Sequence, residues 1–265
     1  MRNHIRALGG SFATSWRLVT TTCILLLAAS SYVTDGGGNA GNPGVAPPQS
    51  HPYGESYEDW SAAHWKWDFS LPVDHHPLFD TADCSAGQSG PVWFLGGTLA
   101  TTVEPSGEVV GVADRHCRVP VGIALFFPIA DTECSTIEGN GTTDSELRSC
   151  AAFFQDHVHD MTATVDGAPV DHLDSYRVAS SLFTFGPLPD NNILQFFNID
   201  APEGSTSKSV SDGVFLMLRP LSKGHHTIHF MAARTFSTAN GDPFDFEFRQ
   251  DITYHLTVVD RSAAP

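Results

Sequence analysis

From Trp60 onward, short apolar runs alternate with tight-turn signals, and this rhythm constrains the fold more than any other feature of the chain. Residues 91–95 (PVWFL) and 121–129 (VGIALFFPI) are continuous apolar stretches bounded by glycine and proline, as in strands buried on both faces. Further strands are expected at 161–165, 178–185, 214–218, 226–232 and 252–259. Turn signals separate them: Asp166-Gly167, 187–192, Asp212-Gly213, 222–224 and Asn240-Gly241. Trp65, Trp67, Phe69 and Leu71 alternate with Lys66, Asp68 and Ser70, the pattern of a strand with one wet face. One segment departs from the β rhythm. Thr143 and Glu146 form a capping box, and Leu147, Cys150, Ala151, Phe154 and Val158 follow at helical spacing. The expected fold is mainly β: a single β-sandwich of jelly-roll or immunoglobulin-like kind, with one amphipathic helix at about 144–159.

The first 31 residues have the layout of a secretory signal peptide. Arg2, Arg6 and Arg17 precede an apolar run at 24–29, and small residues close it. That run is far shorter than the ~20 residues a bilayer span requires, so no membrane span is expected. Residues 32–57, rich in Gly, Pro and Asn, read as a flexible linker, and 58–265 as the folded domain. The expected location is secreted, periplasmic or extracellular. Three of the 14 basic residues and none of the 30 acids lie in the leader, so the remainder carries 11 bases against 30 acids. A surface that acidic excludes nucleic acid as a partner. Cys84, Cys117, Cys134 and Cys150 are an even set for an oxidising compartment. Three pairings are open, and Cys84–Cys117 with Cys134–Cys150 is the favoured one.

Several landmarks recur together: Trp65-Lys66-Trp67, the segment 87–95 (GQSGPVWFL), 115–120 (RHCRVP) and 220–228 (PLSKGHHTI). On these the chain resembles an uncharacterised group of exported bacterial β-sandwich proteins. The likeness covers about residues 60–259 and implies no activity.

Three clusters carry candidate chemistry. Asp74, His75, His76 and Asp80 lie in a polar loop, where Asp and His could share general acid–base work or hold a hard cation. Asp156, His159 and Asp160 would share one face of the expected helix and could ligate a metal. Trp60 and Trp65 could stack on sugar rings, although tryptophans in an alternating run more often pack a core. The strand 226–232 should turn His226, Ile228 and Phe230 inward, and His225 and His229 outward. No cofactor is predicted; Ca²⁺, at acidic loops such as that with Asp131 and Glu133, or a transition metal are the ions such loops suit. The expected function is a secreted or cell-surface binding protein for carbohydrate or an envelope component. The alternative is an extracellular enzyme, a hydrolase/lyase or metal-dependent oxidoreductase, using the loop at 74–80.

Overall fold

The structure, a computed structural model, describes residues 42, 44–79 and 84–263. The expected leader, the first part of the expected linker and Asp80 lie outside the described residues. Among the described residues there are eleven strands: β1 (Val92–Phe94), β2 (Thr101–Val103), β3 (Val109–Pro120), β4 (Ala124–Ser135), β5 (Val158–Val165), β6 (Ala168–Pro169), β7 (Arg177–Ala179), β8 (Phe183–Phe185), β9 (Ser207–Leu218), β10 (Gly224–Phe236) and β11 (Phe246–Val259). Helices α1 (Tyr57–Phe69), α2 (Asp144–Gln155) and α3 (Ile193–Phe196) interrupt them. The fold is mainly β, as expected.

The strands form two mixed sheets. The smaller runs β1-β4-β9-β7, with β8 also on β9, and the larger runs β2-β3-β11-β10-β5-β6. Each contains one parallel pair, β1 with β4 and β3 with β11. A jelly roll is antiparallel throughout, so the expected jelly-roll topology is not met. Both sheets feed a common core. Phe127 of β4 stacks on Phe230 of β10 at 5.4 Å, and Phe126 turns the other way, toward Tyr57 of α1. Truncating such a fully buried ring to alanine would cost about 3–5 kcal/mol. Helices α1 and α2 both pack on β4 and β9, which explains why β9 is buried along nearly its whole length.

Both favoured disulfides are present, Cys84–Cys117 and Cys134–Cys150. The second ties α2 to β4, where Leu147 and Ala151 pack on Val210. The Thr143 capping box is formed in both halves, the Glu146 carboxylate accepting from Thr143 N at 2.9 Å. The Asp166-Gly167 turn joins β5 to β6 with φ of 52° and 79°, the left-handed pair that a two-residue hairpin needs.

Further expectations are corrected, among them the turn at Asp212-Gly213, which lies inside β9. Residues 57–69 form a helix and not a strand, because Ser56 and Asp59 make a capping box that starts α1. The helix expected at 144–159 ends at Gln155, and Val158 already belongs to β5. The later part of the expected linker is packed. Ala46 N donates to Met217 O at 2.8 Å, Val45 pairs with Leu218, and both side chains are buried.

Candidate functional site

Helix α1 buries an unusual stripe. Tyr57, Ser61, His64 and Asp68 fall at helical spacing and all face inward, each with a polar atom. Three of the four find partners readily. Tyr57 Oη donates to Ala46 O at 2.6 Å, Ser61 Oγ meets Ser211 Oγ at 2.9 Å, and His64 Nε2 lies 2.9 Å from Leu95 O. Asp68 Oδ1 has no hydrogen-bonding partner. Burying polar groups this way is costly unless something satisfies them.

The lower half of the stripe opens on a cleft of about 160 Å³. His64, Trp65 and Asp68 form one wall, Pro128, Ala130 and Asp131 of β4 a second, and Ala232, Ala233 and Arg234 of β10 a third. The pairing register shifts within the second wall, between Pro128 and Ala130, and within the third, between Met231 and Ala233. Such bulges re-aim side chains and terminate regular pairing. Two glycines make room. A Cβ on Gly97 would stand 2.5 Å from Gln250 Oε1, and one on Gly213 would stand 2.5 Å from Asp131 Cβ.

Five polar atoms of lining residues make no hydrogen bond of good geometry: His64 Nδ1, which lies 3.3 Å from Asp68 Oδ2, Trp65 Nε1, Asp68 Oδ1, Asp131 Oδ2 and Arg234 Nε; the Trp65 indole still interacts with the Asp131 carboxyl. The other edge of each cation or amide is anchored. Arg234 donates to Asp131 O at 3.1 Å and to Thr132 Oγ1 at 2.6 Å, and Gln250 Nε2 donates to Ile129 O at 2.7 Å. The side chains are thereby fixed in place with hydrogen-bonding capacity left over.

Burial sets the charges. Asp131, half-buried overall but with Oδ2 sealed from solvent, is pushed up to about 7 against the opposing pull of the Arg234 guanidinium and the nearby Trp65 indole. Asp68 is held well above the usual carboxylate range by burial, then by the Asp131 charge, with Arg115 opposing. His64 is pushed down to about 4 by burial. Burial also lowers Arg234, against the charge of Asp131. The site is therefore a desolvated pocket with nearly neutral acids, donors and acceptors interleaved, and apolar walls from Leu78, Leu99, Val158 and Phe248. It can bind a compact polar molecule or exchange a proton with one.

The candidates read from sequence are dispersed. Asp74 is exposed and accepts from Asn191 Nδ2 at 2.9 Å. His75 is exposed, whereas its neighbour His76 is fully buried. His76 Nε2 donates to Asp68 O at 2.8 Å and Nδ1 accepts from Leu78 N at 3.3 Å, so this imidazole braces the end of α1. The three do not converge. Nor do Asp156, His159 and Asp160. Asp156 caps α2 and pairs with Arg177 at 2.7 Å, while His159 and Asp160 lie in β5, where a shared helical face does not exist. Both His159 nitrogens are engaged, with Asp160 Oδ2 and Thr235 Oγ1 at 2.9 Å. Trp60 packs on Phe94 and Phe126 and gives its N–H to Pro52 O at 2.9 Å. Trp65 does reach the cleft. Asp131, expected in an acidic loop, sits inside β4.

His64, Asp68, Arg234 and Gln250 were not singled out from sequence. The signal was present in the stripe 57, 61, 64 and 68, but only on a helical period. Among the described residues no helix is long and apolar enough to cross a membrane. No family model matches the chain, and no curated protein matches it.

Proposed function

We propose that the chain is an exported binding protein whose ligand is a small neutral polyhydroxyl group, such as one sugar ring, held in the cleft between α1, β4 and β10. The carrying observation is that residues lining one desolvated space carry polar atoms without hydrogen bonds of good geometry, among them Trp65 Nε1, Asp68 Oδ1, Asp131 Oδ2 and Arg234 Nε. Trp65 Nε1 and Arg234 Nε donate, while a carboxyl oxygen of Asp68 and one of Asp131 accept. A hydroxyl both donates and accepts, so a ring bearing several suits interleaved partners. Its C–H faces suit Leu78, Leu99, Pro128 and Phe248. The volume of about 160 Å³ admits one such ring and not an oligomer buried end to end. The two disulfides support the exported part of this reading, and the shared core of the two sheets supports its description as a sandwich. Stacking of glycans on an open tryptophan platform has no support at Trp60, which is committed to packing.

Calorimetric titration with a panel of neutral monosaccharides tests the proposal. At least one should bind with a Kd of about 1 mM or tighter, and Asp131→Asn should weaken it by about tenfold or more. No binding across the panel, or equal binding by the variant, would overturn it.

A second reading rests on Asp131 alone. A carboxyl held at about 7 is suited to general acid–base work near neutral pH. The chain would then be a hydrolase or lyase acting on the same class of ligand. Turnover of a bound sugar derivative, lost in Asp131→Asn, would favour it over simple binding.

A further inference from the structure

A second cluster lies on the solvent-facing side of the larger sheet, apart from the cleft. β3 and β11 run parallel, and their register sets His116 directly opposite His255. Asp114, two residues before His116, projects from the same face. His255 Nε2 is 3.2 Å from Asp114 Oδ1, and His116 Nε2 is 3.8 Å from the same oxygen. The two imidazoles stack at 4.7 Å with 19° between their planes. One donor atom from each of the three residues falls within 4.8 Å of the other two.

We propose that Asp114, His116 and His255 form a surface site for a divalent transition-metal ion, with zinc as the reference occupant. Two donors of one zinc ion can stand at most about 4.2 Å apart, twice a Zn–N bond of ~2.1 Å. Both distances to Asp114 Oδ1 already fall inside that limit, and the side chains are exposed enough to close the rest by rotation. Two imidazoles and one carboxylate are the donor set that suits zinc and copper(II) rather than Ca²⁺ or Mg²⁺, which prefer oxygen. The backbone beneath is rigid. Cys117, next to His116, is bridged to Cys84, and the β3–β11 ladder is continuous from Val109 to Pro120. Three protein ligands leave further positions open. Asp114 and His116 also line a separate cleft with Trp67, Phe94 and Arg115, from which a small anion could reach the ion. The neighbouring histidines of this face are engaged elsewhere, His229 with Asp251 at 2.8 Å and His225 near Thr257 at 3.3 Å.

Calorimetry of the untagged full chain with zinc chloride, and with calcium chloride as control, tests the site. One equivalent of zinc should bind, with no calcium response. His116→Gln with His255→Gln should lower zinc affinity by at least about tenfold, and Asp114→Asn should lower it as well. All three side chains face solvent, so the variants should keep the parent circular dichroism spectrum. His75→Gln, an exposed histidine of another segment, should bind zinc like the parent. Failure of the parent protein to bind zinc, or undiminished binding by the double variant, would overturn the proposal.

Discussion

His64 Nδ1 lies 3.3 Å from Asp68 Oδ2, one turn along α1, and both side chains are almost wholly buried. Because His64 Nε2 faces the Leu95 carbonyl, it must donate there, leaving Nδ1 as a lone pair. A lone pair facing a carboxylate would repel it. Burial pushes His64 down and Asp68 up, both directions that favour a neutral pair with the carboxyl proton on the oxygen facing His64. Such a proton satisfies His64 Nδ1 and leaves Asp68 Oδ1 as an acceptor without a partner.

This arrangement predicts a difference between two substitutions. Asp68→Asn supplies an N–H to His64 Nδ1 in place of the carboxyl proton and should change stability by less than about 1 kcal/mol. Asp68→Ala removes the donor and leaves a void, at a cost of about 2–4 kcal/mol. Urea denaturation of both variants at neutral pH decides the matter. Equal destabilisation would show that no proton bridges the pair.

Asp131 predicts a pH dependence. Its folded value of about 7 stands above the ordinary 3.8 of an unfolded chain, so the folded state holds the proton longer. Its stabilising share is complete below the ordinary value, falls as pH rises toward 7, and is lost above that. Each unit is worth about 1.4 kcal/mol, so the whole effect is at most about 4 kcal/mol. Asp131→Asn cannot ionise. Its stability relative to the parent should rise from pH 4 and level off just above pH 7. A difference that stays flat over that range would contradict the assignment.

Glu146 predicts the opposite sign. Hydrogen bonds from the backbone of Thr142 and Thr143 hold its carboxyl down to about 2, below the ordinary 4.5. Its stabilising share is therefore present above the ordinary value and lost as pH falls through the folded one. Glu146→Ala should lower the thermal midpoint at pH 7. The gap between the two proteins should close as pH drops below 4. A gap that persists at pH 2 would exclude the capping role.

The Cys134–Cys150 bridge closes a loop across 16 positions and holds α2 on β4. Replacing both cysteines with alanine should lower stability by about 3 kcal/mol. The check is the denaturant midpoint under non-reducing conditions, with Cys84 and Cys117 intact.

Much of the β architecture was legible because it rests on local patterning. The strand at 226–232 turned Ile228 and Phe230 inward as alternation requires, and the turn at Asp166-Gly167 is a hairpin. The capping box at Thr143 marked α2 correctly, but the end of that helix was not marked, since Val158 continues the helical spacing while pairing with Arg234 in a sheet. Strand β3 was missed. Its inward positions include Arg115, whose guanidinium donates to Gly96 O, Gly97 O and Tyr254 Oη, and an inward arginine breaks the apolar alternation. The cleft was missed for a related reason. The aromatic residues 65, 67 and 69 mimic a strand, and the helical stripe beneath them is polar, so it carries no hydrophobic period. The acids and histidines judged functional were those adjacent in sequence, whereas the cleft gathers residues from α1, β4, β10 and β11, and only the tertiary fold brings these together.

Trp65 offers the most direct measurement of the binding account, because it lines the cleft with its indole beside the Asp131 carboxyl, whereas Trp60 and Trp67 donate to Pro52 O and Ala86 O. Nitrogen-15 spectra recorded during titration with neutral monosaccharides should show the Trp65 indole signal shifting to saturation with one of them, while the Trp60 and Trp67 signals hold still. An unmoved Trp65 signal across the panel at concentrations well above ~1 mM, or a saturating shift at Trp60 in its place, would contradict the account.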